Sequence, residues 1–236
     1  PCILATEIAM YRGLNHLYGF SAEYYGGHSL GEYTALVAAG AITFPDALKI
    51  VETRGRLMQA AVPPEEGAMT AVIARNLDID LIRSALNSLP IDMANINSSE
   101  QVVISGNADG MDAARDRIKA ALGGENGFRF VPLNVSAPFH SRYMKAIGER
   151  FRDLLQSFAE RLLPENARQV AANYTGQYHD GRLESLIDAL VAQLSGAVKW
   201  RANMEVLAEK AVVFYEIGPN RPLRSFFRTI GVKCRS

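Results

Sequence analysis

Apolar positions in the first sixty residues recur at intervals of three and four, the period of a helix. In ILATEIAMYRGLNHLY, residues 3–18, Ile3, Ile8, Leu14 and Leu17 fall near helical spacing, so a helix is expected. GFSAEYYGG is a short β-leaning stretch that ends in paired glycines. HSLGEYTALVAAGAI has few breakers and many alanines and leucines, which predicts a helix stopped near Gly40. FPDALKIVETRGRLMQAAV restarts a helix after Pro45, with Asp46 close to the positive end of its dipole.

After PPEEG the runs shorten. AMTAVIA reads as a strand, DIDLIRSALNSL as a helix, and IDMANI and QVVISG as two strands joined by the polar NSSE. ADGMDAARDRIKAAL is a helix and FRFVPLNVS a last strand. The order β-α-β-β-α-β is that of a ferredoxin-like unit. Residues 67–135 are therefore expected to form a small subdomain inserted in an α/β body made of residues 1–66 and 136–236. The body resumes with a helix from about Arg142. LESLIDALVAQL then sets Leu183, Leu186, Ile187, Leu190, Val191 and Leu194 on one helical face. AVVFYEIG, a continuous apolar run, predicts a strand buried on both faces.

Composition narrows the class without naming a function. A chain of 236 residues with 48% hydrophobic content suits one sizeable domain, or one carrying a small insert. With 25 basic and 25 acidic residues, no global field recruits nucleic acid or an anionic membrane. The end, RPLRSFFRTIGVKCRS, gathers Arg221, Arg224, Arg228, Lys233 and Arg235. It reads either as a solvated helix face or as a landing surface for an acidic partner. Cys2 and Cys234 are the only cysteines, so neither a metal site nor a disulfide framework is expected. No apolar run is long enough to cross a bilayer and no basic-then-apolar leader opens the chain, so a cytoplasmic protein without a cofactor is expected. The first residue is Pro1 rather than Met, which fits a processed or partial chain.

The candidate chemistry begins at Gly27-His28-Ser29-Leu30-Gly31, a G-x-S-x-G pattern. In a nucleophile elbow the glycines permit a cramped turn, and the serine stands clear of the N–H groups that follow it. Those N–H groups, at the positive end of a helix dipole, would stabilise an oxyanion. The competing reading is an ordinary serine N-cap, and five residues do not separate the two. A serine nucleophile needs a base. His28 adjoins it in sequence and would point elsewhere across an elbow, His16 lies in a surface helix, and His179 sits in a turn-rich loop. His140, in NVSAPFHSRYM, sits where the small subdomain hands the chain back to the body, a place for a cleft wall. Position alone does not distinguish a base from a structural histidine. Arg54 lies roughly 60° from Val51 on a helical wheel, at the border of the stripe Leu48, Val51, Gly55 and Met58. There it either snorkels or grips a carboxylate with its planar fork.

Taken in order, GHSLGEYTALVAAGAI, VETRGRLMQAA, GAMTAVI, QVVISG, NVSAPFHSRYM and YEIGPNRPL resemble malonyl-CoA:acyl carrier protein transacylases and the acyltransferase domains of polyketide synthases. The resemblance covers nearly the whole chain. It implies an α/β fold whose α/β-hydrolase-like body carries a ferredoxin-like insert. It also implies malonyl transfer from malonyl-CoA to an acyl carrier protein by way of a malonyl-serine. On that resemblance Ser29 is the nucleophile, His140 the general base, and Arg54 the ligand of the malonyl carboxylate. Gln193 would hold the histidine N–H through its backbone carbonyl, and Leu30 would supply an oxyanion N–H. Phe139 before the histidine, with a branched apolar residue after the serine, resembles the malonyl-selecting version. Methylmalonyl-selecting relatives tend to carry a small residue before the histidine and a glutamine after the serine.

Two departures stand out. The family opens with a strand and a glutamine-bearing loop, a further oxyanion donor, and this chain starts after them. The body's sheet is therefore expected to lack a strand, leaving apolar surface or an unpaired edge near the active site. SGAVKW also replaces the proline-bearing turn common after Gln193. The alternatives are an acyl hydrolase acting on carrier proteins, a non-catalytic carrier-docking domain, and a piece of a larger synthase.

Overall fold

A helix needs one apolar face to bury, and the first three each find it in the same core. The computed structural model describes every residue except Pro64, Glu125, Asn126 and Ser136. Helix α1 (Cys2–Tyr18) ends at Gly19, whose φ of 63° is the left-handed cap geometry that glycine adopts without strain. It buries Leu4 and Ile8, so its inner face is offset from the expected stripe and leaves Ile3 and Leu17 exposed. Helix α2 (Leu30–Ala38) buries Tyr33 and Leu36, and α3 (Phe44–Gln59), capped by Thr43 Oγ1 on the Asp46 N–H, buries Ile50 and Val51. Against them pack the later helices of the body.

Between α3 and those helices comes a four-stranded antiparallel sheet. Its elements are β1 (Gly67–Ile73), α4 (Ile79–Ala85), β2 (Ile91–Ile96), β3 (Gln101–Asn107), α5 (Met111–Ala121) and β4 (Arg129–Pro132). The spatial order is β2-β3-β1-β4. Val72 on β1 and Val102 and Ile104 on β3 meet Ile82 of α4 and Ala114 and Ile118 of α5, giving a core separate from that of the first helices. On the opposite face Met69, Ala71, Ala94 and Val103 meet Phe139, which also packs against the helical core. Phe139 thus wedges between the two layers. The last strand is shorter than FRFVPLNVS promised: it ends at Pro132, which has no N–H to give a ladder.

The chain returns through a 3₁₀ stretch over Arg142–Ile147, where an α-helix was expected, before α6 (Gly148–Gln156). Helix α7 (Leu183–Ser195) buries Leu186, Ile187, Leu190 and Leu194 as its pattern predicted. Beyond it, Val198 pairs with the outer edge of the sheet: its N–H donates to Ala94 O at 2.8 Å, and its carbonyl accepts from Ile96 N–H at 2.9 Å. Helix α8 (Trp200–Lys210) follows, then β5 (Phe214–Tyr215), α9 (Arg224–Arg228) and β6 (Cys234–Arg235).

The two expected body strands are corrected. SAEYY contributes one parallel bridge, Tyr25 to Val170, because Ser21 and Glu23 give it no face to bury. AVVFYEIG pairs over only two residues, Phe214 and Tyr215, with β6. It is not sandwiched: Val212 is 95% exposed and Val213 49%, since nothing among the described residues covers them. The chain is a mixed α/β protein with a small antiparallel sheet. No helix of the described residues is long and apolar enough to cross a membrane.

Candidate active site

The turn into α2 is built by what glycine lacks. A Cβ on Gly27 would overlap the Gly31 carbonyl and lie 2.7 Å from Gly31 Cα, so the chain can cross itself here only with glycine. Replacing Gly27 by alanine is expected to cost about 2–4 kcal/mol, read as a lower midpoint of denaturant unfolding. An unchanged midpoint would mean that the turn relaxes freely. The crossing forces Ser29 to φ 54° and ψ −102°, a conformation that L-residues occupy only under constraint. Its side chain caps nothing. The hydroxyl instead meets His140 Nε2 at 2.7 Å, which rules out the plain N-cap role.

His140 comes from the loop after β4, itself at a φ of 57°. That loop is fixed where Pro138 lies on Gly67 so closely that a Cβ there would overlap its ring. The other ring nitrogen, Nδ1, lies 2.7 Å from the Gln193 carbonyl oxygen. A carbonyl only accepts, so Nδ1 carries the proton and Nε2 presents its lone pair to the Ser29 hydroxyl. Burial, and then the Arg54 guanidinium, push the imidazole down to about 3 despite that carbonyl bond. It is therefore neutral and able to accept a proton across the physiological range.

Two consequences follow from the sign of that shift. The pH profile of Ser29 acylation is expected to stay level from about pH 8 down to about pH 5, where an ordinary histidine base would have faded. An acid limb near pH 6.5 would contradict the buried neutral ring. Below the ordinary histidine range the unfolded chain binds a proton that the folded one refuses. Stability is thus lost as pH falls from about 6.5 toward 3.

Arg54 is 6% exposed on α3, deeper than the edge position read from its helical wheel. Its Nη2 donates to Ser29 Oγ at 3.1 Å and to Gln193 Oε1 at 2.9 Å, and its charge lies 5.4 Å over the Tyr33 ring. Among the described residues its buried Nε has no partner and no carboxylate pairs with it. Leu30 opens α2, and its N–H has no acceptor among the described residues, whereas those of Gly31 and Glu32 already donate to His28 O and Ser29 O. Phe139 stands directly before the histidine, partly buried. Gln193 thus contributes twice, by its backbone to the histidine and by its side chain to the arginine.

Several further residues complete the site without a motif to mark them. Asn173 Oδ1 accepts the Ser29 N–H at 2.7 Å, and its Nδ2 donates to Gly27 O and Asn203 Oδ1. Glu32 and His179 lie buried beneath the turn. The helical position of Glu32, four before the buried Leu36, was the readable clue. His28 does point away, its Nε2 2.8 Å from Asn97 Oδ1, and burial lowers its basicity. His16 is exposed. No cluster able to hold a metal occurs among the described residues.

A serine on a strained turn, a neutral histidine oriented by a carbonyl, and the Leu30 N–H at a helix start are the parts of a serine acyl-transfer site. The chain belongs to the acyl transferase domain family, whose sequence model matches residues 1–221. It is 32% identical to the malonyl CoA-acyl carrier protein transacylase of Bacillus subtilis, across 100% of this chain and 73% of that one. The Haemophilus influenzae protein of the same name is 36% identical across 98% and 72%. Among solved structures, the transacylase from Clostridium perfringens superposes with a TM-score of 0.84 at 30% identity, covering 98% of this chain and 72% of that one. A malonyl-transacylase in complex with its type II polyketide synthase acyl-carrier protein gives 0.84 at 32% identity, over 98% and 74%.

Proposed function

We propose that this chain moves a malonyl group from coenzyme A to the phosphopantetheine thiol of an acyl carrier protein through a malonyl-Ser29 ester. The named relatives support the reaction, and one observation carries the substrate: a buried Arg54 bonded to Ser29 Oγ with no carboxylate in direct contact among the described residues. Ser29 Oγ attacks the thioester carbonyl while its proton passes to His140 Nε2. The tetrahedral oxyanion is held by the Leu30 N–H at the start of α2, a donor of the kind that contributes about 3 kcal/mol in measured enzymes. The C–S bond breaks, and the departing thiolate takes the proton from His140. The carrier's thiol then attacks the ester, giving its proton to His140, and the Ser29 alkoxide recovers a proton as it leaves. Through both halves Arg54 grips the free carboxylate and Phe139 narrows the space beside it.

The architecture is read alongside. Residues 67–135 act as a ferredoxin-like subdomain, supported by the β2-β3-β1-β4 order, and the remainder as an α/β-hydrolase-like body, supported by the strained serine turn. The cytoplasm, where malonyl-CoA and carrier proteins meet, is the compartment that fits this chemistry.

Intact-mass spectrometry tests the reading. Incubation with malonyl-CoA is expected to add one malonyl group at Ser29, and later addition of holo carrier protein to move it onto the carrier. Release of malonate without an adduct would make the chain a hydrolase. Neither adduct nor turnover would leave a docking module.

A further inference from the structure

Beneath the serine turn lies a buried polar layer that the transfer steps do not use. Glu32 is 1% exposed and His179 6%, and they meet at 3.0 Å between Glu32 Oε1 and His179 Nε2. Glu32 Oε2 accepts from Gln193 Nε2 at 2.7 Å and from the Asn173 N–H at 3.1 Å. Gln193 Nε2 also donates to Ser29 O at 3.0 Å. With its nitrogen turned to those oxygens, the Gln193 amide must turn Oε1 the other way, where it accepts from Arg54 Nη2. A flipped amide would set oxygen against oxygen and nitrogen against a guanidinium. Arg54 and Glu32, opposite charges, therefore sit at the two ends of one fixed amide.

A buried guanidinium without a counter-charge is costly, and among the described residues every hydrogen-bond acceptor touching Arg54 is neutral. We propose that Glu32 is the resident counter-charge of Arg54, coupled through the Gln193 amide, and that it sets how tightly the arginine holds an acyl carboxylate. The inference rests on the transferase reading above and deepens it. Glu32 touches no substrate; it is a positioning residue that acts through Gln193. The incoming carboxylate and Glu32 draw on the same cation, and they repel each other. Across the amide and the guanidinium together, on the order of 10 Å, at an effective dielectric near 20, that repulsion is worth roughly tenfold in anion affinity. In the empty site the same charge makes the buried arginine tolerable, and the His179 ring steadies the carboxylate from behind.

Glu32→Gln tests this because it removes the charge and keeps the shape. The new side-chain oxygen can stand where Oε2 stood, with its NH₂ facing His179 Nε2, which accepts it once the ring carries its proton on Nδ1 instead. At pH 8, above the ordinary histidine range, kcat/KM for Ser29 acylation is measured with malonyl-CoA and with acetyl-CoA, which has no carboxylate. The malonyl-to-acetyl ratio is expected to rise roughly tenfold. The variant should also melt lower when empty and recover more than the parent on adding malonate. A ratio that is unchanged or falls, including both rates falling together, overturns the proposal and leaves Glu32 a support of the fold. If Glu32→Gln does not fold, the double variant Glu32→Met/His179→Leu replaces both partners with apolar volume and is expected to raise the ratio in the same direction. If the parent chain takes no acyl group from either thioester, the transferase reading and this inference fall together. If it is acylated but the ratio does not rise, only the counter-charge fails.

Discussion

Ser29→Ala is expected to take up no malonyl group, and transfer to carrier protein should fall by about 10⁵-fold or more. The reason is geometric as much as chemical. Among the described residues, the only hydroxyl bonded to the neutral His140 ring is that of Ser29, and the turn that presents it is held by a close crossing of Gly27 over Gly31. Nucleophile and base act as one unit, so His140→Ala should cost nearly as much, and the double change little more than either alone. Intact-mass measurement after incubation with malonyl-CoA gives the answer directly. A malonyl adduct on the Ser29→Ala chain would move the nucleophile elsewhere and remove the basis of the proposed reaction.

Arg54→Ala is expected to lower malonyl acylation by about 10²–10³-fold, the loss of a charged, two-pronged grip in a buried site. Acetyl acylation should not fall in proportion, because acetyl carries no charge to leave unpaired. A second effect separates selection from support. Arg54 is among the groups that hold His140 down, so its removal should raise the histidine and carry the acid limb of the rate profile to higher pH. Both are read from single-turnover acylation of Ser29 with the two thioesters between about pH 4 and pH 8. Equal losses for both substrates, with an unmoved acid limb, would make Arg54 a packing residue.

What could be read in the chain depended on how local its cause was. The sheet was legible because β1, β2 and β3 alternate or cluster their apolar residues between turn signals a few positions away. The serine turn was legible because its requirement for glycine is met within five residues. The body strands were not. AVVFYEIG has the composition of a buried strand, but burial depends on what covers it, and sequence periodicity carries no record of a neighbour. The role of Gln193 came only through resemblance, although a polar residue three positions after Leu190 on a buried stripe was a signal. The layer below the serine was missed for a plainer reason. Glu32 and His179 lie 147 positions apart, and each in isolation looks like a surface residue. Their pairing exists only after α2 and the segment following Val170 have met at the Tyr25 bridge.

The pairing of Val198 with β2 does more than tie the end of α7 to the sheet. A sheet of order β2-β3-β1-β4 has two outer strands, each a template on which another chain could grow. Val198 occupies part of the first with two backbone hydrogen bonds. The second is only four residues long and closes on a proline, which cannot donate to a ladder. The same short segment that leads out of α7 therefore also protects the protein from self-association, and loosening it would expose a strand edge ready to recruit another copy.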